Sequence, residues 1–376
     1  VRREIKKIKN KNKNSFLIVT GCAAQLKPSS FESMNEVDLV LGNQEKLIDL
    51  SWIKINNILK NKNKNYNTNI VSNIMEKTDL PSNRLAPSKT NTRAFIGIQN
   101  GCNHRCTFCI IPFARGNSRS IRKIELINQI ESLVINGVKE IILTGVDITS
   151  WGLDFNKKER LGDLVQFILE SVPSLQRLRI SSIDSIEIDT KLMDLFCYEK
   201  RLMPHLHLSL QSGDNMILKR MKRRHNREDT IKFCLNLKKI RPEFTFSADI
   251  IAGFPTETKE MFENTISIID ECKIDWMHVF PFSSRAGTPA SRMPQISKSE
   301  IDLRASTLRE ISSKKLKTFL NTKVGSIQSV LVEGNSKGFT EDFCRVSFEQ
   351  ELKIGEIVNM KIKKQLNSEL FGVAIN

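Results

Sequence analysis

The sequence predicts an α/β fold: a parallel sheet of β/α units, preceded by part of a smaller α/β domain and followed by a small all-β module. Three observations carry this. Six short apolar runs between Arg93 and Ser283 alternate with amphipathic segments, which indicates right-handed crossovers in one parallel sheet, either open or curled into a full or partial barrel. Each run ends in small or polar residues, and that rim is where β/α barrels place their active sites. Past a long helical stretch the chain turns to short strands split by turns, roughly sixty residues of them, the size of an oligonucleotide-binding type barrel.

Taken in order, Phe16 to Gly42 holds two strand-like runs, FLIVTGC and VDLVLGN, which close on Gly or Asn turns. From about Asn61 to Thr92 the composition shifts to NKNKNYNTN and LPSNRLAPSKTNTR, a connection without periodicity. The six strands that follow are RAFIGIQN, KEIILTGVD, RLRISSID, HLHLSLQ, FTFSADIIAGF and WMHVFPFS, with helical segments such as IELINQIESLVING and REDTIKFCLNLKKI between them. Their C-terminal ends carry Gly145 and Asp147, then Ser181, Ser182 and Asp184, then Gln211 and Ser212, then Gly253 and Ser283. SKSEIDLRASTLREISSKKLKTFLN reads as one long helix, and GSIQSVLVEGNSKGFTEDFCRVSF, GEIVNMKIKKQ and LFGVAI as the closing strands. No repeat of solenoid type is visible.

Composition narrows the function. A length of 376 residues suits two or three domains with separate cores. Lys and Arg total 58 against 42 Asp and Glu, a formal net charge of +16, which favours a partner rich in phosphates, although a Lys- and Asn-rich composition accounts for part of the excess. No apolar segment of signal type follows VRREIKKIKNKNKN, and no run approaches membrane-spanning length, so a cytoplasmic protein without a membrane partner is expected. Of eight cysteines, three fall in one short segment. In a reducing compartment that pattern favours metal ligation over a disulfide framework.

The segment is GCNHRCTFCIIPFARG, with Cys102, Cys106 and Cys109 spaced CxxxCxxC just after the first strand of the sheet. Thiolates select iron–sulfur clusters or zinc. Three thiolates on a four-iron cluster leave one iron open, able to chelate the amino and carboxylate groups of S-adenosylmethionine and to pass an electron to its sulfonium. The carbon–sulfur bond then breaks, and the protein's task is to hold and shield the deoxyadenosyl radical. A zinc knuckle with His104 as fourth ligand competes on spacing alone. The β/α context, Phe108 beside the last thiol and the polar strand ends favour the cluster.

Together with LTGVDITSWG, RISSIDSIEID, HLSLQSGD, MKRRH, DIIAGFPTET and VFPFSSRAGTPASRMP, this segment resembles the radical S-adenosylmethionine methylthiotransferases, over nearly the whole chain. His104, Arg105 and the compact RGNSRS from Arg115 to Ser120 most resemble the branch that methylthiolates C2 of N6-threonylcarbamoyladenosine at position 37 of tRNA, beside the anticodon. Other branches act on isopentenyl-adenosine in tRNA or on an aspartate of a ribosomal protein. The resemblance implies a partial parallel (β/α) radical SAM barrel over residues 87–318, an incomplete α/β methylthiotransferase N-terminal domain with linker over 1–86, and a TRAM RNA-binding β-barrel over 319–376. It also implies that Cys102, Cys106 and Cys109 hold a [4Fe-4S] cluster, and that Phe108, Gly145, Asp147, Ser182, Gln211, Arg224, Gly253 and Phe280 contact S-adenosylmethionine. Taken singly, the glycines also read as tight turns, and Asp147 and Gln211 as core hydrogen-bonding groups. Cys22, in IVTGCAAQ, is implied as a ligand of a second [4Fe-4S] cluster, whose other two ligands are expected in segments preceding Val1. Read without the family it is a buried inert thiol. Cys197, Cys234, Cys272 and Cys344 lack ligand spacing and read as core or surface thiols.

The implied partners are a tRNA anticodon stem-loop, a reductant such as flavodoxin or ferredoxin, and a sulfur donor. For RNA, the run LKRMKRRHNRED, which also reads as a solvated helix face, and the later Lys337, Arg345, Lys361, Lys363 and Lys364 suit phosphate contacts; Phe339 and Phe343 offer rings to stack on unpaired bases, although strand aromatics more often belong to a core. A separate RNA-binding module predicts that deletion from about Thr322 weakens tRNA binding and spares cleavage of S-adenosylmethionine.

Overall fold

The computed structural model describes residues 1–61, 68–81, 92–334 and 336–375. Within the connection expected over 61–92, positions 62–67 and 82–91 lie outside the described residues, and with them the boundary expected at 86. The N-terminal region contains α1 (Arg2–Lys11), α2 (Cys22–Leu26), α3 (Ser29–Glu32) and α4 (Asp49–Asn61). Its strands β1 (Ile18–Thr20), β2 (Leu39–Leu41) and β3 (Asn69–Ile70) pair in parallel in that order. Ile5, Val19, Ala24, Phe31 and Val40 form a small core between sheet and helices.

The central region opens with β4 (Arg93–Gly97), β5 (Gln99–Asn100), α5 (Ile111–Arg115), β6 (Arg119–Ser120) and α6 (Lys123–Ile135). There follow β7 (Glu140–Thr144), α7 (Leu161–Ser171), β8 (Arg177–Ile180), β9 (Ser182–Ile183) and α8 (Thr190–Tyr198). It closes with β10 (His205–Gln211), α9 (Asn215–Met221), α10 (Arg227–Ile240), β11 (Thr245–Ala252), α11 (Lys259–Glu271), β12 (Trp276–Pro281) and α12 (Lys298–Lys323). One parallel set runs β4-β7-β8 and another β9-β10-β11-β12. Only Ser181 separates β8 from β9, so the two sets form six strand positions in chain order. Among the described residues β4 and β12 do not pair, which leaves the arc open between them. Ser312 of α12 accepts from Met277 N at 2.9 Å and donates back to Met277 O at 3.2 Å, satisfying backbone groups on the edge strand β12.

Strand alternation separates two faces. Leu206, Leu208 and Leu210, with Phe246, Ala248 and Ile250, join the main core beneath the helices. Their alternates His205, His207, Ser209 and Gln211, with Ser247 and Asp249, face the interior of the arc, as do Glu140, Arg177 and Arg179 on earlier strands. The interior is therefore a polar chamber rather than a filled apolar barrel core.

After α12 the chain forms β13 (Ile327–Gly334), β14 (Lys337–Thr340), β15 (Arg345–Ser347), β16 (Ile357–Leu366) and β17 (Glu369–Ala374). These close as a barrel in the order β13-β14-β15-β17-β16, which removes free edges. The small barrel docks on the N-terminal ends of the central strands. Arg177 donates to Ser329 O at 3.0 Å and to Phe339 O at 3.2 Å, and Arg93 donates to Glu333 at 3.1 Å. Phe343 stacks on His205 at 5.3 Å, while the Arg93 guanidinium lies 4.3 Å over Phe339. Of the two readings the sequence left for these rings, base stacking or packing, the structure shows packing against the central region, where cations and a buried histidine supply the partners. Lys337, Arg345, Lys363 and Lys364 remain exposed on the small barrel.

Candidate functional site

The thiol loop leaves β5 and is fixed by backbone contacts. Cys102 N donates to Gly116 O, Cys109 N to Cys106 O and Thr107 N to Met221 O, each at 3.0 Å. Gly101 adopts φ +77°, and a Cβ there would run into the Asn117 carbonyl, so only glycine lets the loop fold back on residues 116–117. Gln99 ties the loop to the end of β7: its side-chain amide donates to Gly101 O at 2.8 Å, and its carbonyl accepts from Asp147 N at 2.8 Å. Gly145 leaves room for that side chain, since a Cβ would stand 3.0 Å from Gln99 Oε1.

Cys102, Cys106 and Cys109 are free, half-buried thiols lining one cavity of about 190 Å³. Phe108, Asp147, Ser182, Gln211 and Arg223 line it with them. Cys102 is pushed up to about 12, first by burial and then by the Asp147 carboxylate 3.7 Å away. Burial likewise raises Cys109. Such thiols carry protons until a metal displaces them. The donor set fits an iron–sulfur cluster: three soft sulfurs from one loop facing one chamber, with polar groups opposite. A three-cysteine zinc knuckle completed by His104 is not formed. His104 turns its Nε2 to Asp147 at 3.1 Å and Glu187 at 3.3 Å, and only Cys102 of the three thiols groups with it.

Gln211 reaches the cavity through a break in register between Leu208 and Gln211, where β10 bulges and Gln211 takes φ +68°. That left-handed conformation costs a non-glycine residue about 1–3 kcal/mol and is typical of side chains re-aimed at a site. Arg223 faces the thiols from the opposite wall, donating to Asp184 at 2.6 Å and Ser209 O at 2.9 Å, with Cys106 Sγ at 3.7 Å. The sequence singled out Arg224, which instead lies at the rim, paired with Glu187 and 2.5 Å from His104. Gly253 lies outside the cavity lining. Its φ of +72° and a Cβ position 2.6 Å from Ile301 tie its identity to the packing of α12. Phe280, on β12, is half exposed at the open side of the arc.

Cys22 begins α2, directly after Gly21 at φ +107°. Its Sγ accepts from Arg115 Nε at 3.1 Å. Cys22 and Cys109 line a second cavity, of about 680 Å³, with Phe108, Ile111 and Arg285. The N-terminal thiol thus opens onto the same space as the thiol loop, across about 90 residues of chain that no local spacing connects.

The radical SAM superfamily model matches residues 96–269. Across 361 residues the chain is 45% identical to a threonylcarbamoyladenosine tRNA methylthiotransferase of Rickettsia prowazekii, covering 96% of this chain and 83% of that one. A tRNA-2-methylthio-N(6)-dimethylallyladenosine synthase of Clostridium botulinum is 33% identical, covering 99% and 83%. Among solved structures, the radical S-adenosylmethionine methyltransferase TsrM of Kitasatospora setae superposes with a TM-score of 0.58 at 14% identity, over 77% of this chain and 59% of that one. That likeness concerns the fold alone.

Proposed function

The chain belongs to the radical S-adenosylmethionine methylthiotransferase family, and on that premise we propose that it methylthiolates C2 of N6-threonylcarbamoyladenosine beside the tRNA anticodon. The observation that carries this is the convergence of three thiols, Asp147, Ser182, Gln211 and Arg223 on one cavity, in a chain 45% identical to the Rickettsia enzyme along 96% of its length. The lower identity to the dimethylallyladenosine synthases favours the threonylcarbamoyl substrate over that alternative. When bound at Cys102, Cys106 and Cys109, a [4Fe-4S] cluster supplies the electron that cleaves S-adenosylmethionine.

The surrounding side chains position the cosubstrate. Arg223 offers a cation to its carboxylate, Asp147 an anion to its amino group, and Ser182 and Gln211 hydrogen bonds to its ribose. Phe108 shields the thiols, packing edge-on to Phe254 at 6.4 Å. Cys22, across the larger cavity, would supply one thiolate to a second cluster. The exposed lysines of the small barrel hold RNA phosphates in the manner of a TRAM domain. A reductant of flavodoxin or ferredoxin type and a sulfur donor complete the set of partners. No helix among the described residues is long and apolar enough to cross a membrane.

Mass spectrometry of tRNA nucleosides tests the reading. Cells lacking the gene should lose 2-methylthio-N6-threonylcarbamoyladenosine and accumulate its unmethylthiolated precursor; an unchanged nucleoside profile would overturn it. The cosubstrate assignment has its own test. Arg223→Gln should weaken S-adenosylmethionine binding by roughly 10- to 100-fold, the worth of one charged hydrogen bond. Arg224→Gln, at the rim, should stay within about threefold.

A further inference from the structure

Below the thiol cavity, the interior face of the sheet carries a second group of metal-binding side chains that the proposed chemistry does not use. His207, Asp249 and His278 stand on the adjacent strands β10, β11 and β12, with Asp249 in register with His278 and His207 in register with Ser247. His207 precedes the cavity residue Ser209 by two positions, about 7 Å along the strand. One Asp249 oxygen, Oδ1, lies 2.8 Å from His207 Nε2 and 3.5 Å from His278 Nδ1. One ligand atom from each residue falls within 4.8 Å of the others.

The hydrogen bonds around His207 give the cluster a polarity. His207 Nδ1 is 2.7 Å from Ser247 Oγ, which is 3.0 Å from Nε2 of His205. His205 lies fully buried between Trp276 and Phe343, with its Nε2 on that serine hydroxyl. Ser247 thus engages His207 Nδ1 and leaves Nε2 as the ring nitrogen that faces Asp249 Oδ1, at 2.8 Å. A cation bound between that nitrogen and that oxygen would take the place of the hydrogen bond they share.

We propose that His207, Asp249 and His278 form a binding site for one divalent transition-metal ion on the floor of the chamber, distinct from the thiol site. Two imidazoles and one carboxylate suit zinc, cobalt(II) or iron(II), and a three-ligand set leaves coordination positions open towards the chamber. Tetrahedral bonding at about 2.0–2.1 Å puts ligand atoms about 3.4 Å apart; the 3.5 Å pair already meets this, and His207 needs to withdraw by a few tenths of an ångström. Ser247 supplies the outer hydrogen bond that orients a ligating histidine and fixes its tautomer. His278, the most exposed of the three, leaves the site open to entry.

The test uses the chain after anaerobic reconstitution with iron and sulfide, so that the thiols are engaged, followed by desalting and titration with cobalt(II) chloride. One cobalt per chain should bind, with visible d–d bands and no thiolate-to-cobalt charge transfer. Asp249→Asn and His278→Ala should each abolish that signal, and Ser247→Ala should weaken binding roughly tenfold or more. His278→Ala keeps the experiment decisive if Asp249→Asn fails to fold. Absence of cobalt binding, binding only with a thiolate charge-transfer band, or undiminished binding in His278→Ala would each overturn the proposal in favour of a hydrogen bond between His207 and Asp249 alone. The result is independent of which nucleoside the enzyme modifies.

Discussion

A Cys106→Ala chain, reconstituted anaerobically, is expected to form no stable cluster on the 102–109 loop and to cleave S-adenosylmethionine only at background. Each of the three thiols lines the same cavity, the loop is tied by Gly101, Gly116 and Met221, and Cys22, on the adjoining cavity, is held by Arg115 Nε at 3.1 Å. Cys234, Cys272 and Cys344 are buried elsewhere in the cores. A hydroxyl or water in place of a thiolate is a poor partner for iron in a cluster. Cys197→Ala is the control: this thiol sits on α8, away from the loop, and its removal should leave iron content and cleavage unchanged. Iron content and 5′-deoxyadenosine are both read, because a folded protein that binds no iron separates a ligand defect from general collapse. Full iron loading with wild-type cleavage in Cys106→Ala would remove Cys106 from the ligand set.

The strands and the thiol loop were legible because their signals are local. Period-two alternation in HLHLSLQ marks one face for helices and one for the chamber, and CxxxCxxC needs only a single loop. Long-range aim was not legible. In MKRRH the helix α9 ends at Met221, and Lys222 takes φ +60°. That left-handed residue breaks the helical phase, so Arg223 turns inward to the thiols and Arg224 outward to Glu187, which a run of basic residues does not reveal. Gln211 was legible as a strand-end residue, though the bulge that aims it was not. Arg177 and Arg179 alternate with Leu178 and Ile180, a signal for a charged inner face that was present in RLRI. Their partners lie 37 and 39 residues upstream at Glu140, and 152 or more residues downstream in the small barrel. No window along the chain brings those together.

Those partners alter the expectation for the small barrel. Deletion from about Thr322, which the sequence suggested would spare the central chemistry, removes Ser329 and Phe339 from Arg177 and Phe343 from His205. The base of the chamber would then expose Glu140 and three arginines. Glu140 is the hub: it binds Arg179 at 2.9 Å and faces Arg177 and Arg93 at 3.9 Å each, and its own side chain is wholly inaccessible. Burial alone would push its carboxyl up, but the arginines outweigh that and hold it below the ordinary carboxylate range.

Removing one partner of a buried ion pair leaves the others uncompensated, at a cost of about 3–5 kcal/mol. Glu140→Gln should therefore lower the stability of the central region by that amount, read as a shift in denaturant midpoint at neutral pH. Because the folded carboxyl is depressed, its contribution is complete above the unfolded value of 4.5 and is lost as pH falls through the lower folded value. The stability gap between wild type and Glu140→Gln should thus be constant from neutral pH down to the ordinary carboxylate range, then narrow with further acidification. A gap that stays constant into that acid range, or one below about 1 kcal/mol at neutral pH, would mean that Glu140 does not hold the arginines as the geometry indicates. If the hub behaves as expected, tRNA binding by the small barrel is best probed by neutralising its exposed Lys337, Lys363 and Lys364, since deleting the module would also unseat the chamber on which the cosubstrate depends.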